Sequence, residues 1–320
     1  MKLAVSRGIH DLLHRDNNSF ISRGGPNQRG VHLKRLDLRH IVCAVDLSGQ
    51  FSATVALAMA TAGARKAELR ALHVMTSEEA SVPDASLRRV SIMRQLRESL
   101  TEAGPNHGLV GAAVRQGDPG TQILRFARGL HAGMIVLGTP RSDRPERSAG
   151  PVASVVIPRS ECPVLTVPAQ TTTEGGNDGM FRRIVCAVDL APSCVSVMRH
   201  ALSLGWETGG RVMFVCVAQE ESAVSPRQIR NDLLGAIPPE ASQWCATDVI
   251  VTDGAPATEI VRLSAEREAD LVVMGPPRRW TSTTQVVLSR SLCPVLVTHD
   301  ARPFPWPGAI QRATAHSRPA

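Results

Sequence analysis

Tyrosine is absent from the 320 residues and aromatics amount to only 3%, which argues against a surface that stacks successive single-stranded bases. No stretch approaches the roughly 20 consecutive apolar residues of a spanning helix, so a membrane protein is not expected. The seven cysteines are odd in number and form no CxxC pair. That excludes the dense disulfide framework of a small secreted domain and makes a reducing cytoplasm the expected location. Met1 to Phe20 lack the continuous apolar centre of a secretory signal. HExxH, Cys/His clusters at zinc spacing and the GxxxxGK[ST] loop are all missing, so neither a metal site nor P-loop chemistry is expected. What is present is a chain with 43% hydrophobic and 20% charged residues, long enough for two ordinary domains that each bury a core.

The net charge of +7 invites a nucleic-acid reading until its placement is counted. Residues 1–36 carry seven basic and two acidic side chains, and residues 301–320 carry three basic and none acidic. The tails therefore hold +5 and +3, which leaves −1 for residues 37–300. A nucleic acid is not expected as a partner except through these basic tails.

The strongest feature is an internal duplication. Ile41-Val42-Cys43-Ala44-Val45-Asp46-Leu47 recurs letter for letter as Ile184-Val185-Cys186-Ala187-Val188-Asp189-Leu190, an offset of 143 (184 minus 41). Val114, Gly117, Pro119, Thr121, Ile123 and Arg125 return as Val251, Gly254, Pro256, Thr258, Ile260 and Arg262 at 137 (251 minus 114). Cys162-Pro163-Val164-Leu165 returns as Cys293-Pro294-Val295-Leu296 at 131 (293 minus 162), so the second copy is about six residues shorter before its last landmark. A period this long is a domain duplication and not a solenoid.

Each copy alternates short Val/Ile/Leu runs with helical periodicity. In the first copy the runs at 40–46, 68–75, 109–115, 134–138 and 162–167 predict strands covered on both faces. Segments 50–63, 86–103 and 119–131 predict helices. The expected fold is α/β: two tandem, doubly wound, five-stranded parallel-sheet domains of Rossmann-like type. Residues 37–168 and 181–300 are the expected domains, joined by a polar, Gly-rich linker at 169–180. The segments 1–36 and 301–320 are expected to be disordered tails.

Ligands of such sheets bind beyond the carboxyl ends of strands, where the strand order reverses. Asp46 and Asp189 are expected to close the first strands, and Gly138 and Gly275 the fourth, so an acid and a glycine would flank one crevice in each copy. The alternative for each aspartate is a cap on the following helix.

With these residues in view, both copies resemble the universal stress protein family, a group of nucleotide-binding-like α/β domains related to the adenine nucleotide alpha hydrolase fold. The carriers are IVCAVDLS at 41–48, IVCAVDL at 184–190, the fourth strands ending at Gly138 and Gly275, and the endings CPVLTV and CPVLVT. In members that bind ATP, the first-strand aspartate and a valine ending the second strand hold adenine and ribose. The resemblance puts these roles on Asp46 and Val74, and on Asp189 and Val217. The phosphates of those members lie on a G-x2-G-x9-G-[S/T] loop, whose glycines let backbone N–H groups converge on oxygen.

This chain departs from that loop. The first copy keeps Gly138 and Gly150 but has Arg141 for the middle glycine and Pro151 for the hydroxyl residue, and its spacing is one residue short. Arg141, Arg144 and Arg147 offer guanidinium groups in place of the lost donors. The second copy keeps Gly275 and Ser282, with six residues between them where the family has thirteen, and Pro276 and Pro277 stiffen the remainder.

Two functions follow from the resemblance. One is a cytoplasmic, non-catalytic stress-response module with degenerate nucleotide-binding loops. The other is an ATP-binding protein, slowly hydrolysing or ATP-switched, that uses the first crevice with ATP as its ligand. Universal stress domains pair through the last strand, so Cys162–Val167 and Cys293–Thr298 are expected at sheet edges, where the copies pair with each other and a homodimer remains open. Cys43, Cys186, Cys162 and Cys293 are expected as core residues within strands. The tryptophans read as scattered packing residues, with Trp280 placed to fill the second crevice.

Overall fold

The computed structural model describes residues 38–47, 51–81, 84–103, 110–139, 150–171, 179–189, 194–218, 224–277 and 282–299. The two basic tails, Arg141, Arg144, Arg147, Trp280 and most of the linker lie outside these residues, as does the side chain of Ser282.

In the first half the strands are β1 (His40–Ala44), β2 (Glu68–Met75), β3 (Val110–Gln116), β4 (Met134–Thr139) and β5 (Val164–Pro168). Helices α1 (Ser52–Arg65), α2 (Ser77–Ala80), α3 (Ala85–Glu102), α4 (Pro119–Gly129) and α5 (Pro151–Arg159) connect them. The second half repeats the plan with β6 (Arg183–Ala187), α6 (Cys194–Thr208), β7 (Arg211–Val217), α7 (Pro226–Ala236), a 3-10 turn (Pro239–Gln243), β8 (Ala246–Thr252), α8 (Pro256–Glu266), β9 (Leu271–Met274), α9 (Ser282–Arg290) and β10 (Val295–Val297).

Local chemistry sets several of these boundaries. The Asp118 carboxylate accepts the Thr121 N–H at 2.8 Å and Pro119 occupies the first turn, which starts α4. Ser225 and Pro226 start α7 in the same way, with the Gln228 N–H on Ser225 Oγ at 3.2 Å. Thr76 and Glu79 form a reciprocal capping box that opens the single turn of α2.

All ten strands form one sheet in the order β3-β2-β1-β4-β5-β10-β9-β6-β7-β8. Every pairing within a half is parallel. The halves meet through an antiparallel seam that places Val164 opposite Val297, Leu165 opposite Leu296 and Thr166 opposite Val295. Thr166 Oγ1 adds a hydrogen bond to the Val295 carbonyl at 3.2 Å. This is the pairing between the copies expected of these two strands. They edge their own halves but lie at the centre of the whole sheet, and β3 and β8 form its outer edges. Cys162 and Cys293 are corrected, since both precede their strands instead of lying within them.

Strand alternation sends side chains to two layers. Ile41, Cys43, Ile184 and Cys186 enter one layer with α1, α3, α6 and α7. Val42, Val185, Val164 and Val295 enter the other with α4, α5, α8 and α9. Each layer runs unbroken through both halves, so burial on either side of the seam holds the copies together. Full burial of such side chains stabilises by about 1.5–3 kcal/mol each. Trp206 and Trp244 are not scattered: their ring centroids lie 5.7 Å apart, with the rings tilted by 36°.

Candidate functional site

In the first half the chain moves outward from β1 to β2 and β3, then returns to β4 and β5 on the other side of β1. The order therefore reverses between β1 and β4, the place where an open parallel sheet leaves a crevice beyond its carboxyl ends. Ala44 pairs with Leu137, which brings the residues after β1 beside Gly138. The second half repeats this, with Ala187 opposite Met274 ahead of Gly275.

Asp46 and Asp189 do not close their strands. Each lies two residues past the strand end, with its side chain exposed. The capping alternative is overturned for Asp46, because α1 begins after Phe51, which makes no side-chain capping bond. Val74 is buried near the end of β2 on the layer of α4 and α5, and Val217 is partly buried at the end of β7. Thus the structure brings Asp46, Val74 and Gly138 to the carboxyl ends of three adjacent strands, and it does the same for Asp189, Val217 and Gly275.

Gly138 lies one residue inside β4, and Gly275 follows β9 directly. A Cβ on Gly138 would stand 2.9 Å from Thr54 Oγ1, so glycine here allows the first turn of α1 to close against the sheet. At the equivalent point a Cβ on Gly275 would stand 3.1 Å from Val197 Cγ2. Thr54 and Val197 share the repeat offset of 143 (197 minus 54), and both are buried. One crevice has a hydroxyl beneath its glycine and the other a methyl group. Sequence reading missed this pair because only the fold brings Thr54 and Gly138 together.

Gly150 is buried at φ 95° and ψ 156°, a conformation open essentially to glycine, and it leads into α5. Pro151 takes the first helical position, where its fixed φ suits the helix but supplies no N–H. The Ser154 N–H is already committed to the Gly150 carbonyl at 3.1 Å. The donors left in that first turn are the N–H groups of Val152 and Ala153, and the helix N-terminus favours an anion in front of them. In the second half Pro276 and Pro277 follow Gly275 at once, and α9 begins at Ser282.

Thiols cluster around the second crevice. Burial above all, with the Asp189 charge adding to it, pushes Cys194 up to about 12 and Cys216 up to about 11. Burial alone raises Cys43 to about 12. Such thiols stay protonated near neutrality and act as small apolar side chains. Among the described residues no group of three or more His, Cys, Asp or Glu side chains is gathered to hold a metal ion. No helix among them is long and apolar enough to cross a membrane.

A doubly wound sheet with a glycine and an acid at each reversal of strand order defines a pair of nucleotide-binding-like α/β domains. The family model for the universal stress proteins matches residues 37–168 and again 180–299, and this chain belongs to that family as a tandem member. A universal stress protein from Archaeoglobus fulgidus DSM 4304 is similar in structure over 83% of this chain and 98% of its own, at TM-score 0.66 and 17% identity. A candidate universal stress protein from Pseudomonas aeruginosa UCBPP-PA14 is similar over 88% of this chain and 98% of its own, at TM-score 0.58 and 17% identity. At these identities the likeness concerns the fold. A shorter universal stress protein of Archaeoglobus fulgidus, solved in complex with dAMP, matches 39% of this chain and 94% of its own at 24% identity and TM-score 0.32.

Proposed function

We propose that this protein is a cytoplasmic stress-response module that acts by binding and not by catalysis, with an adenine nucleotide held in the first crevice only. The observation that carries this reading is the difference between the two crevices. The first has Asp46, Val74 and Gly138 around it, a hydroxyl under the glycine, and a Gly150-led helix whose first turn offers two N–H donors. The second has the same acid and glycine above Val197, two prolines directly after Gly275, and apolar thiols below.

In this reading Asp46 and Val74 take the nucleoside, while Gly138, Gly150 and the start of α5 take the phosphates, with Arg141 adding charge. Asp189, Val217, Gly275 and Ser282 keep the fold of a site without holding a ligand. The antiparallel seam already occupies the last strands of both halves, so a homodimer would have to use another surface.

The test is mass analysis of small molecules released from freshly purified, denatured full-length protein, together with the thermal shift on adding ATP. One adenine nucleotide per chain is the expected result. Two per chain would overturn the assignment to one crevice, and none, with no thermal shift, would overturn nucleotide binding.

A further inference from the structure

Beneath the Asp46 crevice lies a buried histidine that the reading so far leaves unused. His73 sits on β2 between Leu72 and Val74, and alternation turns it to the face opposite Val74. Its side chain is only 7% exposed. Nδ1 lies 2.9 Å from the Val45 carbonyl, which can only accept, so Nδ1 carries the proton and donates it. The Val45 N–H in turn donates to the Leu72 carbonyl at 2.9 Å. Both backbone groups of the residue just before Asp46 are therefore fixed, one by the neighbouring strand and one by the imidazole.

The far side of the ring faces a carboxylate without a hydrogen bond. Nε2 is buried, has no hydrogen-bond partner among the described residues, and faces Glu79 Oε1 at 3.7 Å. The other oxygen of Glu79 accepts the Thr76 N–H at 2.9 Å, and Arg88 Nη2 lies 3.9 Å from Oε1. The ring thus stands between the loop that carries Asp46 and the first turns of α2 and α3.

The second half keeps the backbone and changes the side chain. Val188 N–H donates to the Val215 carbonyl at 2.9 Å, the same bond displaced by 143 (188 minus 45). At the same displacement His73 becomes Cys216, whose thiol is a weak donor. The Val188 carbonyl receives no side-chain hydrogen bond among the described residues.

We propose that His73 is the positioning residue for nucleotide capture in the first half: by holding the Val45 carbonyl it sets the direction in which Asp46 leaves the sheet, a bond that Cys216 does not make to the Val188 carbonyl. The proposal rests on the reading that the first crevice takes a nucleotide, but its first readout needs none.

The experiment compares full-length wild type with His73→Cys, which installs the residue of the second half, and with His73→Asn, whose amide nitrogen stands where Nδ1 stands. In ligand-free protein, hydrogen exchange at Val45, Asp46 and Leu47 is expected to rise about tenfold in His73→Cys and to return towards wild type in His73→Asn, with α4 unchanged in both. ATP affinity, measured by calorimetry, is expected to fall about five- to tenfold in His73→Cys, the scale of one lost hydrogen bond, and about twofold or less in His73→Asn. The reciprocal Cys216→His is expected to slow exchange at Val188 and Asp189, and it keeps the test available if His73→Cys does not fold.

Unchanged exchange in both His73→Cys and Cys216→His overturns the proposal. So does a loosened Val45–Leu47 segment in a His73→Cys variant that binds ATP as wild type does. A wild type that binds no ATP fails the reading of function instead, while exchange still reports whether His73 holds the loop.

Discussion

The guanidinium of Arg65 meets the carboxylate of Glu207 at 2.8 Å, one residue from each half of the chain, with side chains only 9% and 11% exposed. Arg65 ends α1, Glu207 lies in the last turn of α6, and the same guanidinium donates to the Gly179 carbonyl at 2.8 Å. A single cation thus ties both halves and the chain entering the second one. Removing one partner strands the other charge away from water. Glu207→Ala is expected to lower stability by about 3 kcal/mol. The paired change Arg65→Met with Glu207→Leu is expected to cost much less, because no charge is left alone. Urea denaturation of the two variants and wild type checks this.

The close approach of α1 to β4 gives a second expectation. Gly138→Ala forces a Cβ to within 2.9 Å of Thr54 Oγ1 and is expected to destabilise by about 1–3 kcal/mol, the usual cost of overpacking. Adding Thr54→Ala removes the obstructing hydroxyl and is expected to recover most of the loss. If thermal unfolding shows the double variant no better than Gly138→Ala, the clash is not the cause.

The thiols make a kinetic prediction. Cys43 and Cys194, pushed up to about 12, and Cys216, pushed up to about 11, are protonated at pH 8 and out of contact with solvent. Cys162 is also raised by burial, yet it is partly exposed. Brief treatment of native protein with iodoacetamide is expected to label Cys162 first and to leave these three unlabelled until denaturant is added, as read by peptide mass spectrometry.

His299 predicts how stability responds to acid. It follows β10, contacts the Ile157 carbonyl of α5 through Nε2, and is held below the ordinary histidine range by burial, with His200 adding repulsion. A ring that resists protonation in the fold accepts it on unfolding. Stability is therefore unaffected by this group well above pH 6.5, where both states are neutral, and falls as pH drops below 6.5 towards the lowered folded value. His299→Gln is expected to flatten the wild-type decline between pH 6.5 and 5 in denaturant titrations.

Much of this architecture was legible because the chain writes it twice. The heptapeptide at 41–47 and 184–190 marked β1 and β6, and the final Cys-Pro-Val-Leu pair pointed to the strands that meet at the seam. Gly138 and Gly275 were legible for the same reason. Thr54 and His73 were not, since each gains its meaning from a neighbour remote in sequence: Gly138 lies 84 residues from Thr54 (138 minus 54) and Val45 lies 28 from His73. A signal was present all the same. A histidine inside the apolar run Ala71-Leu72-His73-Val74-Met75 demands a hydrogen-bond partner if buried, and the second copy places cysteine there. The offset of Asp46 from its strand was hidden by the apolar Val45, which continues the run although pairing with β4 ends at Ala44.

The antiparallel join of β5 and β10 has a geometric consequence for the whole molecule. Because strands of the first half run against those of the second, their carboxyl ends point to opposite poles of one sheet. The two crevices therefore open at opposite ends of the strands that meet at the seam. A partner that reads the Asp46 crevice therefore approaches from the end of the strands opposite to the one at which the Asp189 crevice opens.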